Sequence, residues 1–345
     1  MLALNKRFPG LSKTLPRVDM TYTPTPLHSL KRLSAMLPGT IQIKRDDLTG
    51  KPYGGNKPRK LEYLLANAEK RGYSRIATTG GIGSNHCLAT TLYGRQHDFE
   101  IFLILFPQPV TDHVQMSLKL YHQLGAKLIL AGDYDQMDNE LEKLKSRIGD
   151  LYFIPAGGSN ALGTIGFINA GLELAMQLKR SDTPPLDAIY IAAGTCGSLA
   201  GLATGLQLSG LNIPVMGVQV VDSVVTNINT VRELADGAMK ILCGLDGNVP
   251  LIDPETLNFR IIPDYFGDGY GEPTESGRNA IETMKVEGIS LEPTYTAKTF
   301  AAVLDAAERG ENVLYWHTFA GPVLKPMVED TDPSSLPSEF QRFFW

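Results

Sequence analysis

The stretch Arg59–His86, RKLEYLLANAEKRGYSRIATTGGIGSNH, contains a helix, a strand and the start of a second helix, and it indicates the fold class. Leu61, Leu64 and Leu65 are spaced by three and four residues, which predicts an amphipathic helix. We expect that helix to end at Gly72. The apolar run RIATTG predicts a strand, and the glycine-rich GGIGSNH predicts a turn into the next helix. This succession is typical of the β-α units of a mostly parallel sheet.

The same alternation continues almost to the end of the chain, and it predicts an α/β protein with two three-layer α/β/α domains. We expect a small domain, residues 53–160, inserted into a large domain formed by residues 1–52 and 161–345. Asp112 is the candidate N-cap of the helix DHVQMSLKLYHQLG. Further helices are predicted near Thr164 to Leu178 and from Ser198. The later strands are predicted at IFLILF, AKLILAG, DAIYIAAG and PVMGVQVV.

Length and composition exclude several classes of protein. A chain of 345 residues favours two compact units. Its 37 acidic and 32 basic residues nearly balance, so nothing favours nucleic acid, and a small-molecule partner is expected. No stretch is long enough to cross a bilayer, and the opening MLALNKRFPGLSK lacks a signal-peptide core, which predicts a cytoplasmic protein. Cys87, Cys196 and Cys243 are interpreted as reduced thiols, buried or half-buried.

Three glycine-rich corners each join a predicted strand to a predicted helix: TTGGIGSNH, PAGGSNALG and AAGTCGSLAG. At the carboxyl edge of a parallel sheet, such corners expose helix amino termini that can bind an anion. The third corner offers hydroxyl and glycine N–H groups from Gly194, Thr195, Gly197 and Ser198, which suit a phosphate monoester without any metal. No dinucleotide or nucleoside-triphosphate motif is present. For any single corner, simple chain reversal is the alternative interpretation.

A lysine lies in the corner Gly54–Lys60, GGNKPRK, at the predicted start of a helix. A partly desolvated amine among other cations has a lowered pKa and can condense with an aldehyde. The alternative is that Lys57, Arg59 and Lys60 form a solvated cluster. Cations are mildly unfavourable at a helix amino terminus, which favours a functional role for Lys57.

Six segments in order closely resemble the pyridoxal-phosphate enzymes of the D-cysteine desulfhydrase and 1-aminocyclopropane-1-carboxylate deaminase family: KRDDLTG…GGNKPRKLEYL, GGIGSNH, AAGTCGSLAGL, GYGEPTESG, LEPTYTAKTF and YWHTFAGPVL. The resemblance runs from about residue 20 to about residue 328. It implies the tryptophan synthase β-subunit type of fold (fold type II), pyridoxal 5'-phosphate as cofactor, a small amino acid as substrate, no metal, and a homodimer.

The resemblance also implies roles for individual residues. Lys57 matches the lysine that forms the Schiff base with the cofactor and then acts as the base, and Lys60 matches a contact to the cofactor phosphate. Asn85 matches the partner of the ring hydroxyl, and Thr318 matches the partner of the ring nitrogen. The phosphate loop matches Gly194, Thr195, Cys196, Gly197 and Ser198, the substrate-binding positions match Ser84, Asn85 and His86, and the catalytic positions match Lys57, Tyr295, Tyr270 and Ser84. Without the resemblance, the tyrosines would be interpreted as packing residues and Thr318 as a strand-end cap.

Two departures from the deaminase branch favour α,β-elimination from a D-cysteine-like amino acid, which yields pyruvate, ammonia and sulfide. Thr296 stands where that branch has glutamate, and His86 stands where it has glutamine. Two other residues depart from both branches: Gly83 replaces a glutamine, and Phe319 replaces a glycine near the cofactor. Three alternatives therefore stay open: 1-aminocyclopropane-1-carboxylate deamination, β-replacement, and a cofactor-binding protein without turnover.

Overall fold

The computed structural model describes residues 1–180, 183–321 and 324–345, which fall into two compact units. The first unit comprises Met1–Pro16, Met20–Lys60 and Ser159–Gly321, and the second comprises Arg17–Asp19, Leu61–Gly158 and Pro322–Trp345. These units group residues by contact and differ in detail from the predicted domains. The C-terminal segment groups with the second unit, where Gln115 Nε2 donates a hydrogen bond to the Phe343 carbonyl at 2.9 Å.

Strands and helices alternate along most of the described chain. The strands are β1 Leu27–Ser29, β2 Ile41–Arg45, β3 Arg75–Gly81, β4 Glu100–Phe106, β5 Lys127–Leu130, β6 Tyr152–Ile154, β7 Ala188–Ala193, β8 Val215–Gln219, β9 Phe259–Ile262 and β10 Val313–His317. The helices are α1 Ala3–Arg7, α2 Leu11–Thr14, α3 Lys31–Ser34, α4 Lys57–Lys70, α5 Asn85–Gln96, α6 Asp112–Gln123, α7 Met137–Ile148, α8 Ala161–Leu178, α9 Gly197–Ser209, α10 Ile228–Leu245, α11 Glu275–Met284, α12 Thr296–Glu308 and α13 Ser338–Gln341.

The first unit contains a six-stranded sheet in the order β1-β2-β10-β7-β8-β9. All neighbouring strands are parallel except β1, which pairs antiparallel with β2. Tyr315 and Trp316 of β10 point to opposite faces because side chains alternate along a strand. Tyr315 joins a buried cluster with α11 and α12, and Trp316 joins one with α8 and α9. Helices therefore cover both faces, which confirms the predicted three-layer arrangement for this unit.

The second unit contains a four-stranded, fully parallel sheet in the order β5-β4-β3-β6. In β4, Phe102 and Ile104 pack against Met137 and Leu141 of α7. Leu103, between them, is fully buried and faces the opposite side, and α5 contacts β3 and β4. The continuous apolar run IFLILF is typical of a parallel strand that is buried on both faces.

The predicted N-cap of α6 is wrong by one residue. Thr111 has the extended backbone of an N-cap, and its Oγ1 accepts a hydrogen bond from the Val114 N–H at 3.3 Å. Asp112 is instead the first helical residue, where a carboxylate still interacts favourably with the helix dipole. A threonine oxygen competes well for the cap position, so the sequence TD leaves two candidates.

The expectation that no stretch is long enough to cross a bilayer is wrong for helix α8, which is long and apolar enough by length and composition alone. Within the described residues it is the one such helix, and 72% of its apolar window is buried inside the protein. It packs against α9 in the core of the first unit. Burial in the core accounts for its composition.

A buried group of charges, which we call the charge cluster, joins four elements of the first unit. The Arg59 guanidinium donates to the Asp46 carboxylate at 2.7 and 2.9 Å and to the Glu173 carboxylate at 3.0 and 3.1 Å. The Lys44 amine also pairs with Glu173, and the Trp316 indole N–H donates to Asp46 at 2.8 Å. These contacts connect the first turn of α4 to the end of β2, to β10 and to α8.

The charges of the cluster compensate one another away from water. Burial alone would raise the pKa of Glu173, but the positive charges of Arg59 and Lys44 outweigh it and lower that pKa to about 2. Burial likewise opposes the charge of Arg59, yet the carboxylates of Asp46 and Glu173 raise its pKa. Loss of one member would leave a buried charge without compensation, which costs several kcal/mol.

The lowered pKa of Glu173 makes stability depend on pH. The folded protein releases this proton at about pH 2 and the unfolded chain near the ordinary value of 4.5. The stabilisation is therefore complete above about pH 5 and is lost as the pH falls towards 2. We expect Glu173→Gln to lower the free energy of unfolding at pH 7 by about 3 kcal/mol and to flatten its slope between pH 5 and pH 3.

Chemical denaturation at several pH values measures both effects. Glu282→Gln is the matched control, because Glu282 forms an exposed pair with Lys285 and should change stability by less than about 1 kcal/mol. A Glu173→Gln variant that keeps the wild-type stability and pH slope would show that the charge cluster contributes nothing.

Helices α8 and α9 approach so closely that glycine is required between them. A Cβ built on Gly205 of α9 would lie 2.3 Å from the Ile168 carbonyl oxygen and 3.0 Å from Cα of Gly171 in α8. Both neighbours are backbone atoms of a buried helix, so neither can move aside cheaply. Since α9 begins at the predicted phosphate loop, this contact sets where that loop lies within the first unit.

We expect Gly205→Ala to lower the free energy of unfolding by about 1–3 kcal/mol, because the added methyl group forces the two helices apart. Gly244→Ala in α10 is the control: no atom lies within 4 Å of its added Cβ. It should leave stability unchanged or raise it by up to about 1 kcal/mol, since alanine favours helix. Equal stabilities of the two variants in urea denaturation would contradict the predicted overpacking.

Candidate active site

The predicted lysines lie on the first turn of α4, in the first unit. Lys57 is the first residue of the helix, and Lys60 is 2% exposed. The Lys60 Nζ donates to Ser159 Oγ at 2.9 Å, and Asn56 Nδ2 donates to Ser198 Oγ at 3.1 Å. The Asn56 bond connects the corner GGNKPRK directly to the start of α9, and the Lys60 bond connects it to the segment that precedes α8.

Lys60 has an unusual environment for an amine. Burial is the main cause that lowers its pKa well below the ordinary lysine value, and the charge of Lys57 lowers it further. The two amines are therefore close enough to repel each other in a dry environment. A phosphate placed beside them would compensate both charges and return the pKa of Lys60 towards its ordinary value.

The predicted phosphate loop offers the donors that a phosphate requires. Ser159 Oγ lies 2.7 Å from Thr195 Oγ1, so Lys60, Ser159 and Thr195 form one chain of polar groups. Helix α9 has no side-chain cap at its amino terminus. A Cβ on Gly197 would lie 2.6 Å from Ser159 Oγ and 2.7 Å from Lys60 Nζ, so this glycine leaves the cradle open. The donor set fits a phosphate dianion.

Cys196 occupies the N-cap of α9 with a left-handed backbone, φ 62° and ψ −16°. This conformation strains a residue that has a Cβ, so glycine would be easier to accommodate here. Burial raises the pKa of its thiol to about 11. All three cysteines are reduced thiols, as predicted: Cys87 and Cys196 are buried and Cys243 is half-buried. At neutral pH the Cys196 side chain is a neutral thiol that fills space in the loop.

The two predicted tyrosines contact each other in the first unit. The hydroxyls of Tyr270 and Tyr295 are 2.7 Å apart, and their rings pack edge to face with centroids 6.0 Å apart. A Cβ built on Gly194 would lie 3.7 Å from Cε1 of Tyr295, so the tyrosine pair lies against the phosphate loop. At this distance one tyrosine hydroxyl donates a hydrogen bond to the other. A pair of this kind can deliver a proton to a ligand.

A buried glutamate that the sequence analysis did not single out holds Tyr295 in place. The Glu292 carboxylate accepts hydrogen bonds from the backbone N–H groups of Thr294, Tyr295 and Thr296, at 2.7 to 2.8 Å. The Thr296 hydroxyl returns a bond to this carboxylate at 3.2 Å and accepts one from the Glu292 N–H at 2.8 Å. Thr296 is therefore part of the cap of α12.

Thr318 follows the end of β10. Its carbonyl accepts a hydrogen bond from the Asn56 N–H at 3.3 Å, and a Cβ on Gly55 would lie 2.7 Å from the same oxygen. Gly55 has φ 90°, a conformation that favours glycine. The preceding His317 is buried, and this burial lowers its pKa to about 4, so the ring is neutral at pH 7. Phe319 is 7% exposed, so its ring is largely buried.

The predicted substrate-binding residues Ser84, Asn85 and His86 lie in the second unit, at the start of α5. Ser84 is the N-cap, and its Oγ accepts from the Cys87 N–H at 3.3 Å. Asn85 is the first helical residue. The His86 ring is 2% exposed, with Nε2 2.9 Å from the Thr78 hydroxyl. These contacts place the imidazole among core groups of its own unit, and its role towards a substrate stays a prediction.

The structure explains why Gly83 lacks a side chain. A Cβ there would lie 2.7 Å from Cγ2 of Val114 and 3.3 Å from Nε2 of Gln108. The Gly83 N–H donates to Gln108 Oε1 at 3.1 Å, and its carbonyl lies 3.1 Å from His113 Nε2. Side chains from α6 and from the preceding loop thus hold both sides of this peptide, immediately before Ser84.

The described contacts bring Lys57, Lys60, the phosphate loop and both tyrosines together within the first unit. Sequence reasoning missed two residues of this group, Ser159 and Glu292. The corner PAGGSNALG had been recognised as a possible anion site, so its serine was a detectable signal. Glu292 gave none, because a glutamate four residues before a helix is usually exposed.

Comparison with known proteins identifies the family. Residues 18–318 match the model described as pyridoxal-phosphate dependent enzyme. A protein of Thermotoga maritima with the provisional name 1-aminocyclopropane-1-carboxylate deaminase is 36% identical over 310 residues, which cover 88% of this chain and 95% of the relative. A D-cysteine desulfhydrase of Salmonella paratyphi C is 32% identical over 324 residues, with 90% and 95% covered.

A solved structure supports the same relationship. The crystal structure of an ACC deaminase homologue superposes with a TM-score of 0.77 at 31% identity, and the match covers 92% of this chain and 96% of that chain. The fold is thus that of the fold type II enzymes, as the resemblance implied. From these matches and the cradle beside Lys60, the chain belongs to the pyridoxal-phosphate-dependent enzymes, in the group of the 1-aminocyclopropane-1-carboxylate deaminases and D-cysteine desulfhydrases.

Proposed function

We propose that this enzyme converts D-cysteine, or a closely related small amino acid, and water into pyruvate, ammonia and sulfide by α,β-elimination. The observation that carries the proposal is the hydrogen-bonded pair Tyr270 and Tyr295 beside the phosphate loop, a source of the proton that a departing sulfur needs. The name of the Salmonella relative supports the same substrate. Thr296 supports it too, because it stands at a position where cyclopropane-opening enzymes have a glutamate. Its hydroxyl instead binds the Glu292 carboxylate at the start of α12.

Residues of the first unit would hold the cofactor. Lys60, Ser159, Thr195, Gly197 and Ser198 would bind its phosphate, because they combine a cation, hydroxyls and an uncapped helix terminus in one open cradle. We propose Lys57 as the residue that binds the aldehyde, Thr318 as the partner of the ring nitrogen and Asn85 as the partner of the ring hydroxyl. On this proposal the first unit contributes all of these residues except Asn85, which belongs to the second unit.

The cofactor supplies an electron-withdrawing ring next to the substrate Cα when it is bound. The Lys57 amine would then remove the proton from Cα, since it lies at the start of α4 in the same turn as Lys60 of the proposed phosphate cradle. We propose Ser84 and His86, at the start of α5, as the residues that face the substrate carboxylate. The Tyr295 hydroxyl would give its proton to the departing sulfur. The Tyr270 hydroxyl would then give a proton to Tyr295.

The oligomeric state and the location of the protein are proposed as well. The resemblance implies a homodimer, and we propose one for this chain. We propose a cytoplasmic location as well, as the sequence predicts. Deamination of 1-aminocyclopropane-1-carboxylate is the second candidate activity, favoured by the name of the Thermotoga relative.

A substrate panel tests the assignment. The purified enzyme, saturated with pyridoxal phosphate, is incubated with D-cysteine, L-cysteine, D-serine, sulfonated amino acids and 1-aminocyclopropane-1-carboxylate, and the keto acid and sulfide are measured. We expect the highest kcat/KM for D-cysteine, with equal amounts of pyruvate and sulfide. Turnover of the cyclopropane substrate alone would favour the second candidate, and no keto acid from any compound would contradict both.

Lys57→Ala tests the proposed base. We expect the visible absorbance of the bound cofactor to be lost and kcat to fall by about 1,000-fold or more, because one amine both binds the aldehyde and moves the proton. Lys70→Ala is the control, since Lys70 is exposed at the other end of the same helix. A Lys57→Ala variant with normal absorbance and normal sulfide release would remove Lys57 from both roles.

A further inference from the structure

Lys298 carries a buried amine in the first turn of α12, three residues after Tyr295. Its side chain is completely buried. The Nζ donates to the carbonyl oxygens of Phe266 at 2.6 Å and Gly269 at 3.2 Å, and it lies 5.3 Å from the centre of the Phe266 ring. No carboxylate forms an ion pair with this amine among the residues that the structure describes. Its hydrogen bonds therefore go to one stretch of backbone.

Burying an amine is costly, so its contacts need an explanation. Burial is the main cause that lowers the pKa of Lys298, and the nearby carboxylates of Glu292, Glu272 and Asp268 partly oppose it. A leucine or methionine would fill the same space without that cost. The amine supplies what an apolar side chain cannot, two hydrogen bonds to carbonyl groups of the loop that follows β9.

The Lys298 contacts reach that loop directly beside Tyr270. The loop connects β9 to α11 without regular secondary structure, and it contains Gly267 and Gly271 with φ 71° and 83°. Such glycines increase the number of conformations open to a chain. Tyr265 anchors the beginning of the loop through its hydrogen bond to Asp305, near the other end of α12. The Lys298 contacts anchor the part next to Tyr270.

The contacts close a ring around the tyrosine pair. Lys298 binds the carbonyl of Gly269, which directly precedes Tyr270, and the Tyr270 hydroxyl lies 2.7 Å from that of Tyr295. Tyr295 in turn is the N-cap of α12, the helix that carries Lys298. The amino-terminal end of α12 therefore positions both tyrosines. Tyr295 is its N-cap, and Tyr270 is held through the bond from Lys298 to the Gly269 carbonyl.

We propose that Lys298 is a positioning residue that holds Tyr270 at hydrogen-bonding distance from Tyr295 and thereby supports proton delivery to the leaving group. This inference rests on the role of the tyrosines in the proposed function. Lys298 itself touches neither substrate nor cofactor in this proposal, because its amine is buried and bound to the loop. Its loss should affect turnover without removing the cofactor.

Lys298→Met tests the inference, since methionine keeps most of the side-chain volume and cannot donate to the loop. We expect kcat to fall by about 10- to 100-fold with KM within about twofold, because a displacement of a catalytic group by about 1 Å costs up to that factor. The visible absorbance of the bound cofactor should be unchanged. Lys285→Met is the matched control: Lys285 is exposed, pairs with Glu282 and should leave all three quantities unchanged.

A double-mutant cycle separates positioning from a general loss of stability. If Lys298 acts through Tyr270, Lys298→Met should have little further effect on kcat in a Tyr270→Phe background. Additive losses would overturn the proposal, as would a wild-type kcat in Lys298→Met. If Lys298→Met is recovered without cofactor, Lys298→Gln, which keeps a neutral donor, takes its place in the same cycle with the same expected and contradicting results.

The cycle also distinguishes this inference from the proposed function. It is run on whichever amino acid of the panel the wild-type enzyme converts, so a different substrate does not affect it. An unimpaired Tyr270→Phe variant would contradict the proposed tyrosine role and this inference together. An impaired Tyr270→Phe variant beside an unimpaired Lys298→Met variant would contradict the inference about Lys298 alone.

Discussion

The charge compensation between Arg59, Asp46 and Glu173 is the interaction on which the rest of the structure depends. Helix α4 begins with several cations, an arrangement that the helix dipole disfavours. Two buried carboxylates offset this by binding the guanidinium of Arg59 from both sides. Because Lys57 and Lys60 share that first turn, the pair of carboxylates also fixes where the two functional amines lie in the first unit.

The same unit combines tight backbone packing with open polar space. Glycines at Gly166, Gly201 and Gly205 allow α8 to approach Arg59 and α9 so closely that an added Cβ would lie within 2.0 to 2.4 Å of a backbone oxygen. Gly197, by contrast, leaves room beside Lys60 and Ser159. Glycine thus serves two purposes in one fold: it allows contact where helices meet, and it keeps a cradle clear where an anion can bind.

The elements that could be predicted from sequence are those with a strong local pattern. The run IFLILF forms β4, as predicted. The spaced leucines after Arg59 lie in α4, which begins at Lys57, two residues before the predicted start. The corner around Gly194 became the start of α9 as expected. The features that escaped depend on distant residues. The buried Glu292 carboxylate binds backbone N–H groups, the His86 ring lies beside the Thr78 hydroxyl, and the Phe343 carbonyl accepts a hydrogen bond from Gln115. No local sequence pattern predicts such contacts.

The peptide of Gly83 shows how such distant contacts constrain sequence change. Val114 and Gln108 occupy the space that a side chain at this position would need, and Gln108 and His113 bind both sides of the peptide. A glutamine introduced at this position would clash with Val114. A larger residue at 83 needs a smaller one at 114, so the effect of each substitution depends on the other.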